Sequence, residues 1–201
     1  MPPDRREFLV LLASVGATPA LAQIPSPAGR AQAISPEMSR PTAYAFAFKR
    51  LDGGELRLAE HAGKPILVVN TASLCGYTPQ YEGLQQLWTR FRGHGLLIVA
   101  VPSNDFGGQE PGGAAEIEHT AHQKYAVTFP LAEKVAVKGA AAHPFFRWAA
   151  GERPLNVPRW NFHKYLVGKD GHIAAAFSSE IEPLDARIVA AIAKELRPPA
   201  S

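Results

Sequence analysis

The sequence predicts an α/β fold with a mixed central sheet flanked by helices, and three features of its 201 residues carry that prediction. Two continuous aliphatic runs, 65–70 and 96–101, are typical of strands that are buried on both faces. Between them, apolar residues recur at helical spacing from Tyr81 to Phe91, which predicts a parallel strand–helix–strand unit with a right-handed crossover. Later in the chain, Asp170-Gly171 predicts a hairpin turn between two short strands, which adds antiparallel strands to the sheet.

The other elements fit around this unit. Large and small residues alternate over 44–48, and Gly53-Gly54 turn the chain back into 55–58, which predicts an early hairpin. Three more helices are expected from the later patterns, at 116–125, 142–150 and 183–196. This order of elements is that of a thioredoxin-like fold, and we expect it to occupy 43–198 as one domain.

Helix ends also carry signals. Thr78 is expected to cap the first long helix, with Pro79 at its first position and Gly93 at its end. His143 is expected at the start of the helix over 142–150. The last helix is expected to place four apolar residues on one face, namely Leu184, Ile188, Ile192 and Leu196.

The amino terminus, residues 1–22, has the pattern of an export signal. Arg5-Arg6 precede an apolar stretch, Phe8 to Ala17, and Ala20-Leu21-Ala22 matches a cleavage site. That stretch is roughly half the length that spans a bilayer, so no stable membrane anchor is expected. The paired arginines resemble a twin-arginine signal, although Asp4 stands where Ser or Thr is usual, and we expect export to the periplasm. An ordinary secretory signal or an uncleaved amphipathic start are the alternatives. Residues 23–42 are expected to be a flexible leader.

The composition excludes several classes of protein. Twenty-one Lys and Arg against 18 Asp and Glu give a net charge of +3, too small to indicate a nucleic-acid partner. A single cysteine excludes a disulfide scaffold and a thiolate zinc site within one chain. His119 and His122, with Glu116 before them, have metal-compatible spacing, but a solvated helix face is the preferred interpretation. We expect no metal and no prosthetic group.

Cys75 lies in the short segment between the first aliphatic run and the predicted helix. The carboxyl ends of parallel strands form the ligand-facing edge of a sheet, and the N–H groups of a following helix favour an anion there. Gly76 leaves the backbone open to close approach. The position therefore indicates a reactive thiolate, and a buried structural cysteine that packs as a small apolar residue is the alternative.

Four segments, in the same order along the chain, carry a family resemblance. They are 70–81 (NTASLCGYTPQY), 102–112 (PSNDFGGQEPG), 125–130 (YAVTFP) and 160–167 (WNFHKYLV). On these residues the chain resembles the glutathione peroxidase family. The resemblance implies an oxidoreductase that reduces hydrogen peroxide or organic and lipid hydroperoxides, with a role in the response to oxidative stress.

The resemblance also implies a catalytic tetrad in which Cys75 reacts with peroxide and Gln109, Trp160 and Asn161 surround it. A thiolate that attacks a peroxide becomes a sulfenic acid, and it needs donors for the anion and for the departing oxygen. The two amides and the indole N–H are neutral donors of this kind. Without the resemblance, Trp160 would be interpreted as a core aromatic and the two amides as residues that fix loops.

Departures from the family pattern concern the reductant. Many members carry a second, resolving cysteine, but Ala121 stands at that position and Ser103 replaces another common cysteine. Because no internal disulfide can form, we expect an external thiol to reduce Cys75, with glutathione or a thiol protein as candidates. Asp105 replaces a usual Gln, and Leu74 stands where many relatives have a polar residue, so the entrance is expected to be more apolar.

Two other classes of function stay open on the sequence. A thiol–disulfide carrier or copper chaperone on this fold needs a second nearby cysteine, which the chain lacks. An exported peroxide sensor or redox-binding module without efficient turnover would keep Cys75 alone. The connection over 151–158 is short, which in this family resembles monomeric members with open sites, so we expect a monomer.

Overall fold

The fold is known from a computed structural model that describes residues 41–198. The predicted export signal and all but the last two residues of the predicted leader lie outside this range. Within residues 41–198 there are six strands: β1 (Ala47–Lys49), β2 (Glu55–Arg57), β3 (Ile66–Thr71), β4 (Leu97–Pro102), β5 (Lys164–Val167) and β6 (Ile173–Phe177). Four α-helices accompany them: α1 (Gln80–Phe91), α2 (Ala114–Glu118), α3 (Pro144–Glu152) and α4 (Ala186–Leu196). Across 41–198, no helix is both long and apolar enough to cross a membrane.

The central sheet has the order β4-β3-β5-β6 and is mixed, as predicted. β3 and β4 run parallel, with Ile66 opposite Leu97 and Thr71 opposite Pro102. β5 is antiparallel to β3 and to β6. Every residue of β3 and β4 is buried, which explains why both runs are aliphatic without alternation. β1 and β2 form a separate antiparallel hairpin, also as predicted.

The apolar core has two parts. One contains Val68 and Val99 of the sheet with Phe145 and Phe146 of α3, and the hairpin contributes Phe48. The other packs α1 and α4 against the sheet through side chains such as Leu67, Tyr81, Leu84, Ile188 and Ile192. Because successive strand side chains point to opposite faces, neighbours such as Leu67 and Val68 enter different parts of the core.

Several predicted helix boundaries are wrong by a few residues. α1 begins at Gln80, and Thr78 does not cap it, because its hydroxyl group is engaged in the preceding loop. The chain leaves the helical region at Gly95, whose φ of +107° favours glycine, rather than at Gly93. α4 begins at Ala186, where the Asp185 side chain accepts a hydrogen bond from Arg187 N–H.

The apolar face predicted for α4 is therefore shorter than expected. Ile188 and Ile192 are fully buried, whereas Leu184 precedes the helix and is exposed. The predicted polar helix over 116–125 begins earlier, as α2, and continues as wider π-helical turns over His119–Lys124. His143 does start α3, because its ring nitrogen accepts a hydrogen bond from Phe145 N–H at 3.3 Å.

A buried lysine ties β5 to the start of α1. The Lys164 ammonium donates to Gln80 Oε1 at 2.6 Å and to the carbonyl oxygens of Ile181 at 2.5 Å and Ser179 at 3.4 Å. Burial lowers the pKa of Lys164 to about 8. These bonds fix the segment that follows β6 against the amino-terminal end of α1, next to the loop that carries Cys75.

His163, the neighbour of Lys164, is 5% exposed, and its Nε2 atom has no hydrogen-bond partner among the described residues. Burial and the charge of Lys164 lower the pKa of His163 from 6.5 to about 4. The imidazole is therefore neutral near pH 7. In the unfolded chain the same group takes up a proton at higher pH than in the folded chain, so acidification favours unfolding.

We predict that replacing His163 removes part of the acid sensitivity of the fold. Between about pH 7 and about pH 4, the wild type should lose about 3 kcal/mol more unfolding free energy than His163→Gln, which cannot be protonated. Urea denaturation at both pH values measures this difference. His94→Gln, at an exposed histidine, is the matched control and should follow the wild type. Equal losses in wild type and His163→Gln would contradict the prediction.

Candidate active site

Cys75 lies in the turn between the end of β3 and the start of α1, at the edge of the sheet where parallel strands end. The Thr78 hydroxyl group organises this turn. Its oxygen accepts a hydrogen bond from Cys75 N–H at 3.1 Å, and its proton faces the carbonyl oxygens of Ala72 at 2.9 Å and Cys75 at 2.7 Å. Thr78 thus fixes the backbone around the cysteine, which is a different role from the predicted helix cap.

The sulfur of Cys75 accepts a hydrogen bond from Tyr77 N–H, with 3.4 Å between the two heavy atoms. Backbone N–H groups at such a position stabilise a thiolate more than a thiol. The residue is 7% exposed, so the sequence-based alternative of a buried cysteine is correct about burial. A buried thiol can be either inert or reactive toward peroxide. The polar groups that surround the sulfur determine which of the two it is.

A second loop, which follows β4, is bound to the Cys75 loop by two hydrogen bonds. Leu74 N–H donates to the Gln109 carbonyl oxygen at 3.0 Å, and the Ser73 hydroxyl group donates to Glu110 Oε2 at 3.2 Å. Since β3 and β4 are parallel neighbours, both loops leave the sheet at the same edge. These two bonds therefore hold the Gln109 segment in a fixed position relative to the Cys75 loop.

Asn161 connects a third segment to this pair of loops. It is fully buried, and its side-chain amide donates to Gln109 Oε1 at 2.9 Å. Because this bond engages the Gln109 side-chain oxygen, it fixes the orientation of the amide. The Gln109 NH₂ group then remains available for another partner. The Asn161 oxygen is buried and has no hydrogen-bond partner among the described residues.

Trp160 lies beside the same loops. The residue is 38% exposed, and a Cβ atom placed on Gly107 would lie 3.3 Å from Trp160 Cη2 and 3.5 Å from Gln109 Cγ. The structure thus brings Gln109, Trp160 and Asn161 together around the loops that carry Cys75. Within residues 41–198, none of these three side chains forms a hydrogen bond with the sulfur itself.

Asn70 is a residue that the sequence reasoning missed. Its amide donates to the Trp160 carbonyl oxygen at 3.1 Å, and its side-chain oxygen accepts from His163 N–H at 3.1 Å. Phe162 N–H donates to the Asn70 carbonyl oxygen at 2.6 Å, which holds Phe162 at a φ of +64° despite the steric cost. Asn70 is the one polar residue at the end of an aliphatic run, and this pattern is the sequence signal that could have identified it.

The departures from the family pattern have structural explanations. Asp105 accepts hydrogen bonds from Val137 N–H at 2.6 Å and Lys138 N–H at 3.1 Å, so its carboxylate holds a neighbouring loop. Ser103 and Ala121, the two positions where the family resemblance led us to look for further cysteines, are fully buried. With Cys75 as the one cysteine of the chain, no intramolecular disulfide is possible.

Two cavities are lined in part by residues of the Cys75 loop. The larger, about 930 Å³, is lined by Tyr77 and Trp160 together with His163 and two cations, Arg159 and Arg187. The smaller, about 410 Å³, lies between Ser73-Leu74 and the start of α2. Neither cavity was predicted, because each is lined by residues from segments far apart in the sequence.

The described residues do not converge on a metal ion. In the part of the chain that the structure describes, no three His, Cys, Asp or Glu side chains form a possible metal site. His119 contacts Gln123 Oε1 at 2.9 Å and His122 lies 3.7 Å from Glu118, so the two histidines have separate partners.

Comparison with known proteins identifies the family. The family model described as glutathione peroxidase matches residues 43–150. The hydroperoxy fatty acid reductase gpx1 of Synechocystis is 43% identical over 151 residues, which cover 71% of this chain and 89% of that protein. The glutathione peroxidase homolog BsaA of Staphylococcus epidermidis is 40% identical over 143 residues, 70% of this chain and 90% of that one.

A solved structure supports the same assignment. The crystal structure of Trgpx in its apo form has a TM-score of 0.64 and 30% identity, and the match covers 81% of this chain and all of that one. The arrangement of the mixed sheet and its helices is thus shared with this structure. The chain belongs to the glutathione peroxidase family, and it is a thiol-dependent peroxidase with a thioredoxin-like fold.

Proposed function

We propose that Cys75 reduces hydrogen peroxide and organic hydroperoxides and is then regenerated by an external thiol. The observation that carries this proposal is the position of the one cysteine of the chain, beside a backbone N–H donor and in a loop bonded to the Gln109 segment. A lone thiol so placed can be oxidised by peroxide, but it cannot form an internal disulfide.

The chemistry has three steps. The Cys75 thiolate attacks the peroxide, an S–O bond forms, the O–O bond breaks, and the departing oxygen takes a proton to become water or an alcohol. A thiol then attacks the sulfenic acid, so that a mixed disulfide forms and water leaves. A second thiol molecule releases a disulfide and restores the Cys75 thiol.

We assign the predicted donor role to Gln109 and Trp160, and a positioning role to Asn161 in place of the predicted donor role. The free NH₂ group of Gln109 and the indole N–H of Trp160 are the proposed donors to the departing oxygen. Asn161 positions the Gln109 amide through the 2.9 Å hydrogen bond between their side chains. The adjacency of these side chains to the Cys75 loop supports the assignment.

We propose that a small anionic thiol, such as glutathione, enters through the larger cavity. Tyr77 and Trp160 border both this cavity and the Cys75 region, and Arg159 and Arg187 supply positive charge for a carboxylate. His163 also lines this cavity, and its buried Nε2 atom has no partner among the described residues. A thiol protein that presents a similar charged segment is the other candidate reductant.

We further propose that the protein acts in the periplasm as a monomer, without metal or prosthetic group, in the defence against oxidative stress. Support for export comes from the twin arginines, the short apolar stretch and the cleavage pattern within residues 1–22. An oxidising compartment would make the supply of an external thiol the limiting factor for turnover.

The first prediction from this mechanism concerns the reductant. After a pulse of peroxide with glutathione present, mass spectrometry without reducing agent should find one glutathione attached to Cys75, and the enzyme should turn over repeatedly. Cys75→Ser should form no adduct and consume no peroxide. If only sulfinic acid accumulates and turnover stops, an external small thiol is excluded, and a peroxide sensor would describe the protein better.

A second prediction concerns the orientation of Gln109. Asn161→Ala should slow the oxidation of Cys75 by hydrogen peroxide by about 100-fold, because the amide that donates to the departing oxygen loses its anchor. Single-turnover oxidation, followed by mass spectrometry, measures the rate constant. Gln123→Ala is the matched control, since Gln123 is an exposed amide that contacts His119. Similar rate constants in wild type and Asn161→Ala would refute the role of Asn161.

A further inference from the structure

We propose that the smaller cavity binds the hydrocarbon chain of an organic hydroperoxide and that Leu74 makes the enzyme selective for such substrates. This inference rests on the proposed function of Cys75 and specifies its substrate class. It concerns a subsite formed by the Cys75 loop and the start of α2, apart from the larger cavity that we assign to the thiol.

The lining of the smaller cavity is mostly apolar. Leu74, Pro111 and Ala115 form its apolar wall, and the other lining residues are Ser73, Glu110, Gly112, Glu116, His119 and Thr120. Leu74 is 67% exposed, so a large aliphatic side chain projects into water at the cavity edge. A single exposed leucine is common on protein surfaces. What distinguishes Leu74 is that it adjoins both an apolar cavity and the reactive cysteine.

Leu74 lines the cavity and is the chain neighbour of Cys75, so the cavity edge lies beside the reaction centre. Leu74 directly precedes Cys75, so their Cα atoms are about 3.8 Å apart. The hydrogen bond from Leu74 N–H to the Gln109 carbonyl oxygen, 3.0 Å long, fixes the peptide unit at this point. A hydroperoxide bound at the sulfur can therefore extend its chain across Leu74, whereas hydrogen peroxide has no chain to place there.

Glu110 adds a second observation that points to a ligand. This residue is 1% exposed and lines the cavity; Ser73 donates to its Oε2 atom, while its buried Oε1 atom has no partner among the described residues. Lys134 binds the Glu110 carbonyl oxygen at 3.0 Å, and it is not paired with the carboxyl group in a salt bridge. Burial raises the pKa of Glu110, which favours the neutral acid beside apolar groups.

The buried Glu110 carboxyl group, with one oxygen unpartnered among the described residues, places one polar group beside an apolar cavity. That combination suits an acyl chain that carries a hydroxyl or hydroperoxyl group better than a plain hydrocarbon. The polar groups at the rim are already engaged: Glu116 accepts from Gly113 N–H at 2.9 Å, and His119 contacts Gln123. An entering chain therefore displaces water without breaking these contacts.

The two cavities differ in a way that separates the two substrates. Arg159, Arg187 and Glu180 give the larger cavity a charged lining, which suits a charged thiol. The smaller cavity is lined mainly by apolar groups, which suits an uncharged chain. The named substrate of the Synechocystis relative, a hydroperoxy fatty acid, has a chain of this kind.

The test compares two peroxides in a single turnover, without any reductant. The rate constant for oxidation of Cys75 is measured with linoleic acid hydroperoxide, below its micelle concentration, and with hydrogen peroxide. Their ratio reports selectivity for the chain. Leu74→Ser removes the apolar contact, and Ala115→Phe fills the cavity; both sites are on the surface, so both variants should fold. Leu184→Ser is the matched control at an exposed leucine outside either cavity.

We expect the ratio to fall about tenfold in Leu74→Ser and in Ala115→Phe, and to stay within about twofold of the wild type in Leu184→Ser. A ratio that stays within about twofold of the wild type in both cavity variants would overturn the subsite. A ratio that falls only in Leu155→Ser would also overturn the subsite, because Leu155 lines the larger cavity. Failure of the proposed function itself has another signature: Cys75 of the wild type would react with neither peroxide.

Discussion

Two hydrogen bonds to Gln109 hold three distant segments of the chain together, and the candidate active site depends on them. Leu74 N–H binds the Gln109 carbonyl oxygen, and the Asn161 amide binds the Gln109 side-chain oxygen. The first bond requires the parallel register of β3 and β4, which places the two loops at one edge of the sheet, and the second also requires the pairing of β3 with β5. The aliphatic core thus has a direct functional role, because a slip of either strand would separate Gln109 from the Cys75 loop.

Buried polar residues fix the geometry that the apolar core alone leaves open. Asn70 joins the end of β3 to Trp160 and His163, and Lys164 joins β5 to the start of α1. Such groups are costly to bury unless they are bonded, so each one permits a single arrangement of its neighbours. Six buried side-chain polar atoms have no partner among residues 41–198, and two of them belong to residues that line the cavities where we place thiol and substrate, namely His163 and Glu110.

Much of this arrangement could be predicted from the sequence, and the errors have a common cause. The aliphatic strands, the two hairpins and the position of Cys75 follow from local patterns. Thr78 and Gly93 are residues of types that are common at helix ends. The Thr78 hydroxyl group is instead bound within the Cys75 turn, and Gly95 rather than Gly93 has the positive φ at which the chain leaves the helical region. Asn70 and Glu110 were missed because their partners lie 90 and 37 residues away.

The central claim is that the fold, rather than the intrinsic chemistry of a thiol, makes Cys75 reactive toward peroxide. The most direct measurement is the second-order rate constant for oxidation of Cys75 by hydrogen peroxide, in the native chain and in the chain unfolded by urea, at the same pH. We expect the native rate constant to be larger by at least about 100-fold, because preorganised donors act only in the folded state. Equal rate constants in the two states would contradict the claim.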